Sequence, residues 1–103
     1  MTTPDELERR HTLTTATQRY DALRMRDALA AMDPDNEPTL SPTETLEMLA
    51  LSEVIIRKAG YGRQAMIRSA RGAGASWSQI GNALGTTKQA AWESHQRWAE
   101  DQV

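Results

Sequence analysis

The chain contains no cysteine, which removes disulfide scaffolds, thiol nucleophiles and thiolate metal sites together. Histidine is scarce as well. His11 and His95 are far apart in sequence, and neither stands at a metal-ligand or triad spacing. No apolar run approaches the ~20 residues that a membrane span needs, and the opening stretch MTTPDELERRH is polar. A soluble, unexported, cytoplasmic protein with no membrane partner is expected. Gly72-Ala73-Gly74 lacks the lysine and the serine or threonine of a phosphate-binding loop, so nucleotide hydrolysis is not indicated. Glu44, Glu47 and Glu53 have apolar neighbours at helical spacing and read as a solvated helix edge, not an acid–base pair. No catalytic residue, metal, cofactor or small-molecule ligand is assigned, and an enzyme is not expected.

Glycine and proline are each missing from one half. The prolines are Pro4, Pro34, Pro38 and Pro42, whereas Gly60, Gly62, Gly72, Gly74, Gly81 and Gly85 all lie later. Nothing between Asp5 and Met32 breaks a helix, and the apolar positions Leu13, Ala16, Tyr20, Leu23 and then Ala22, Met25, Leu29, Met32 recur at three and four residues. One long helix is predicted there, about 42 Å at 1.5 Å per residue. Its drifting stripe calls for a helical partner. Residues 1–32 are thus read as a dimerisation arm, and residues 33–42, with three prolines, as a connection. Ser41 caps the next helix, with Pro42 first inside it and Glu44 at the capping-box spacing. That helix is apolar around much of its circumference and is expected to be central to a helical domain over residues 43–103. A short helix over Arg63 to Arg71 follows. With no period-two alternation anywhere, the fold class predicted is all-α, with about five helices.

The net charge of −2 conceals a division. Residues 1 to 56 carry five arginines and eleven carboxylates, whereas residues 57 to 98 carry Arg57, Lys58, Arg63, Arg68, Arg71, Lys88 and Arg97 against Glu93 alone. Such asymmetry hints at nucleic-acid binding by the basic part. Composition leaves open the plainer reading of two solvated helix surfaces. The acidic part is read as a dimerising arm held away from DNA, the alternative being a surface for a basic partner.

Residues 74–92 read GASWSQIGNALGTTKQAAW. Ser76 and Gln79 have the capping-box spacing, so a helix is predicted to start at Trp77. Leu84-Gly85 ends it, glycine being able to adopt the left-handed conformation of a helix terminus. Thr86 or Thr87 caps a following helix that runs to about Ala99. Gly81 is assigned to the place where the two helices cross, with Ile80, Leu84 and Ala91 facing inward. Two helices joined by a short glycine-containing turn have the layout of a helix-turn-helix.

The phrase Ser76-Trp77-x-x-Ile80-Gly81-x-Ala83-Leu84-Gly85-x-x-Lys88-Gln89-Ala90-Ala91 resembles the DNA-binding segment of small bacterial helix-turn-helix transcription regulators, over roughly residues 63–98. Two positions depart from that pattern. Thr86 stands where an apolar residue is usual and Ser94 where a branched aliphatic is usual, so Trp77 or Trp98 is expected to fill the space. The resemblance implies a regulator that binds double-stranded DNA; the short stretch beyond Trp98 is expected to leave no room for a wing, and the small chain with its striped first helix is expected to form a homodimer. Base contacts are then expected from Thr87, Lys88, Gln89, Trp92, Glu93 and Gln96. Phosphate contacts are expected from Arg63, Arg68, Arg71, Ser76 and Ser78. The alternative is a helical protein–protein interaction module, antitoxin-like or an adaptor, that uses the same face. Trp77 and Trp98 are assigned to the core, while Trp92 is left between groove contact and packing.

Overall fold

The computed structural model describes residues 2–35 and 38–102; Met1, Asn36, Glu37 and Val103 lie outside the described residues. The fold is all-α. Among the described residues there are six helices and no strand: α1 (Pro4–Arg10), α2 (Leu13–Met32), α3 (Pro42–Tyr61), α4 (Arg63–Gly72), α5 (Trp77–Leu84) and α6 (Lys88–Asp101). They form two compact units, divided between Gly60 and Tyr61.

The single long N-terminal helix expected over Asp5 to Met32 is two helices. Thr12 makes the break. Its hydroxyl accepts the Thr15 N–H at 3.1 Å, and the Thr15 hydroxyl accepts the Thr12 N–H at 3.0 Å. This is a capping box with threonine in the place usually held by glutamate or glutamine. His11 is extended, with φ −113° and ψ 144°, so the chain turns between α1 and α2. The turn lets Leu7 of α1 join Ala16 and Leu23 of α2 and Ala50, Leu51 and Val54 of α3 in one core. Leu23, Leu51 and Val54 are fully enclosed, and burial of each stabilises by about 1.5–3 kcal/mol. The 20 residues of α2 give a helix about 30 Å long, shorter than the predicted arm.

The second difference concerns α3. The expected domain over residues 43–103 placed it with the C-terminal helices, but its buried residues pack on α1 and α2. The start of α3 is as predicted: the Ser41 hydroxyl accepts the Glu44 N–H at 3.1 Å and the Glu44 carboxylate accepts the Ser41 N–H at 3.0 Å. Arg19 meets Glu47 while Arg26, further along α2, meets Glu44, so α2 and α3 run in opposite directions.

The apolar stripe of α2 divides between two faces. Ala16, Tyr20 and Leu23 turn to the core, whereas Met25, Leu29 and Met32 are exposed, Met32 by 81%. Leu46, Leu49 and Ile56 are likewise exposed on α3. The second unit has its own small core, in which Ile67 of α4, Ile80 of α5 and Ala91 of α6 meet, with Ala70, Ala75 and Trp77 around them.

Candidate functional site

The segment with the most specific sequence signature is α5, the turn and α6. The Ser76 hydroxyl accepts the Gln79 N–H at 3.1 Å and the Gln79 side-chain oxygen accepts the Ser76 N–H at 2.8 Å, so both halves of the capping box form. Gly85, at φ +71°, ends α5 in the left-handed region, where a side chain would be strained. The Thr86 N–H then closes onto the Gly81 carbonyl at 2.9 Å. Thr87, not Thr86, is the cap of α6, its hydroxyl accepting the Ala90 N–H at 3.0 Å.

Gly81 is where the helices come closest. A Cβ built on it would lie 2.9 Å from the Lys88 nitrogen and 2.9 Å from the Thr87 carbonyl carbon. Both are backbone atoms and cannot rotate away. The glycine thus lets the start of α6 rest directly on α5, which fixes where Lys88 and Gln89 emerge.

Around α6, Ala91 is buried while His95 and Trp98 are half-buried beside it. Helical spacing puts Gln89, Glu93 and Gln96 on the opposite side, with Trp92 at its edge. Thr87, Lys88, Gln89, Trp92 and Glu93 are exposed, and Gln96 is half-buried. Gln89 Nε2 donates to a Glu93 carboxylate oxygen at 2.9 Å. The five exposed positions therefore stand together at the first two turns of α6.

Two arginines of α4, Arg68 and Arg71, sit against aromatic rings. The Arg68 guanidinium lies 4.8 Å from the Trp98 ring centroid and that of Arg71 5.3 Å from Trp77, close enough for cation–π attraction. Arg71 also donates to the Ala75 carbonyl at 2.9 Å. His95 lies between the two indoles, 5.5 Å from Trp77 and 5.4 Å from Trp98, with Nδ1 2.8 Å from Gln64 Oε1. Arg63 is exposed, as are Ser76 and Ser78 at the start of α5. None of Arg63, Arg68, Arg71, Lys88 and Arg97 forms an ion pair among the described residues; the ion pairs found there lie in the first unit.

That first unit is dense with such pairs. Arg19 holds Glu47 with two bonds of 3.0 and 2.8 Å, and Arg26 holds Glu44 at 2.6 Å. The bond from Arg26, aided by the Ser41 N–H, lowers the Glu44 carboxyl to about 2. The bonds from Arg19 lower Glu47 and raise Arg19 in turn. Arg57 bonds Asp5, Glu53 and Glu8, in that order of effect, and is raised above its ordinary value. The sequence division counted Arg57 with the basic segment, but its charge is spent on acidic neighbours in the first unit. The second unit carries five cations against three carboxylates, a milder excess than the linear count suggested.

No family model, curated protein or solved structure matches this chain. Among the described residues no group of three or more histidines and carboxylates is placed to hold a metal, and no helix is long and apolar enough to cross a membrane.

Two inward assignments are corrected. Leu84 is 39% exposed, and neither Trp77 nor Trp98 fills the space beside Ser94. A half-open pocket of about 240 Å³ is there instead, its lining including Thr86, Ser94, Leu84, Ile67, Arg63 and Gln64. The two positions that depart from the apolar pattern border the same pocket. The tryptophans are drawn to His95, a partner the apolar spacing did not reveal. The Gln89–Glu93 bond was also missed, although their separation of four residues was a readable signal.

Proposed function

We propose that this chain binds double-stranded DNA through α5 and α6, as a homodimeric, cytoplasmic helix-turn-helix transcription regulator. The observation that carries the reading is the backbone contact at Gly81 joined to the left-handed turn at Gly85. This geometry leaves Lys88, Gln89, Trp92 and Glu93 exposed together at the start of one helix, the part that meets base edges in a major groove. Lysine suits guanine, glutamine suits adenine, and an indole suits a thymine methyl. Thr87 and Gln96 flank them.

Phosphate positioning is assigned to Arg63, Arg68 and Arg71, and to Ser76 and Ser78 at the α5 N-terminus, where unbonded N–H groups and the helix dipole favour an anion. The absence of carboxylate partners for those arginines among the described residues supports this role. Dimerisation is assigned to the exposed apolar faces of α2 and α3, since two copies suit a two-fold related site.

Fluorescence anisotropy with a labelled random-sequence duplex at low salt tests the reading. Binding at micromolar protein is expected, because non-specific affinity alone reaches that range. Arg63→Ala is expected to weaken binding to all sequences alike and to reduce the salt slope by about 1, whereas Gln89→Ala costs ~1–3 kcal/mol at one base position. The exposed Trp92 beside Glu93 favours a second reading, a protein-binding module on the same face. No anisotropy change with duplex would select it.

A further inference from the structure

Glu93 is the single carboxylate between residues 57 and 98, and it stands on the exposed side of α6 one turn beyond Gln89. On a surface that approaches phosphates, an acidic group weakens binding, so its presence there calls for a compensating role. The 2.9 Å bond from Gln89 Nε2 to Glu93 Oε1 supplies one. An ionised carboxylate accepts only, so the Gln89 amide must present its nitrogen to Glu93 and its oxygen elsewhere. The carboxylate thereby decides which way round the amide sits.

We infer that Glu93 is a positioning residue that braces Gln89 to read adenine and reject guanine, an inference that rests on the duplex-binding reading above. Braced, Gln89 keeps one free N–H and its Oε1, one donor and one acceptor. Adenine offers the matching pair in the major groove, the N7 acceptor and the N6 amino donor. Guanine offers two acceptors, N7 and O6, and would need two donors from a side chain that has one left. Released from Glu93, the amide can turn over and present both N–H groups. The brace thus exchanges some affinity for discrimination. This differs from the role expected of Glu93 from sequence, a direct base contact.

The test is selection of bound duplexes from a random pool, together with affinity for a non-specific duplex, for the wild type, Glu93→Ala, Gln89→Ala and the double variant. Both side chains are exposed, and circular dichroism checks that each variant folds. Glu93→Ala is expected to lose adenine preference at one position by about 5-fold to about 150-fold, the range of one bidentate contact, while non-specific affinity rises. In the Gln89→Ala background the same change alters no base preference, yet still raises non-specific affinity. Loss of preference for cytosine at another position, whether or not Gln89 is present, overturns the brace and makes Glu93 a reader itself. Unchanged adenine preference in Glu93→Ala also overturns it. Absence of duplex binding by the wild type is a separate result, which overturns the underlying reading.

Discussion

The two units solve the same problem, burying a small apolar core with three helices, by opposite means. In the first unit, Leu7, Leu23, Leu51 and Val54 form the core, and arginine–carboxylate pairs tie the helix edges together. Its charges are largely spent on one another, while apolar side chains such as Met25, Met32 and Leu49 are left outside. In the second unit the core is smaller, and its precision comes from backbone contact at Gly81. There the cations are not paired with carboxylates among the described residues, and Arg68 and Arg71 of α4 rest on indole faces. A surface whose charges are already satisfied has little left for a polyanion; one whose cations are held in place but unneutralised does. The contrast supports the proposal that DNA binding belongs to the second unit and self-association to the first.

The largest effect expected to sharpen this comparison is Leu51→Ala. Removing a fully enclosed leucine costs ~2–5 kcal/mol, and the loss belongs to the first unit. Trp77, Trp92 and Trp98 all lie in the second unit, so tryptophan fluorescence follows that unit alone while far-ultraviolet dichroism follows both. In urea, Leu51→Ala is expected to lower part of the dichroism transition and leave the fluorescence midpoint in place. An equal shift in both probes would break the comparison.

Gly81→Val comes next and inverts the pattern. Its Cβ meets backbone at 2.9 Å, and overpacking of this kind costs about 1–3 kcal/mol. The fluorescence midpoint is expected to fall. An unchanged midpoint would show that α5 and α6 do not need their close approach.

The smallest effect is that of acid. Glu44 is lowered to about 2 from 4.5, and Glu47 is lowered as well. As pH falls below 4.5 the unfolded chain takes up protons that these folded carboxylates still refuse, so the unfolded state gains. The stabilisation is present above 4.5 and drains away towards pH 2. Exposed ion pairs contribute modestly, so a shallow loss is expected in the dichroism midpoint of the first unit and not in the fluorescence midpoint. Arg26→Ala should flatten that loss.

Much of the local structure was legible because it depends on short-range chemistry. The boxes at Ser41 and Ser76, the stop at Gly85 and the close approach at Gly81 are set by residues within a few positions of one another. The break at Thr12 was hidden because threonine did the work that Glu44 and Gln79 do elsewhere. Unit membership was not legible: the apolar circumference of α3 says that it is buried but not against what. The linear charge division failed at Arg57, whose partners Asp5 and Glu8 are far away in sequence. In the candidate site, exposure of Lys88 and Gln89 followed from the turn, whereas the Arg68 and Arg71 stacks depend on tertiary placement of Trp98 and Trp77.

The most direct measurement is the ¹⁵N chemical-shift map of the chain titrated with a duplex at low salt. Amides at the start of α5 and over Lys88 to Gln96 are expected to shift progressively, while those of α1, α2 and α3 stay in place. Shifts confined to the first unit, or none with duplex at millimolar concentration, would contradict the proposed DNA binding by the second unit.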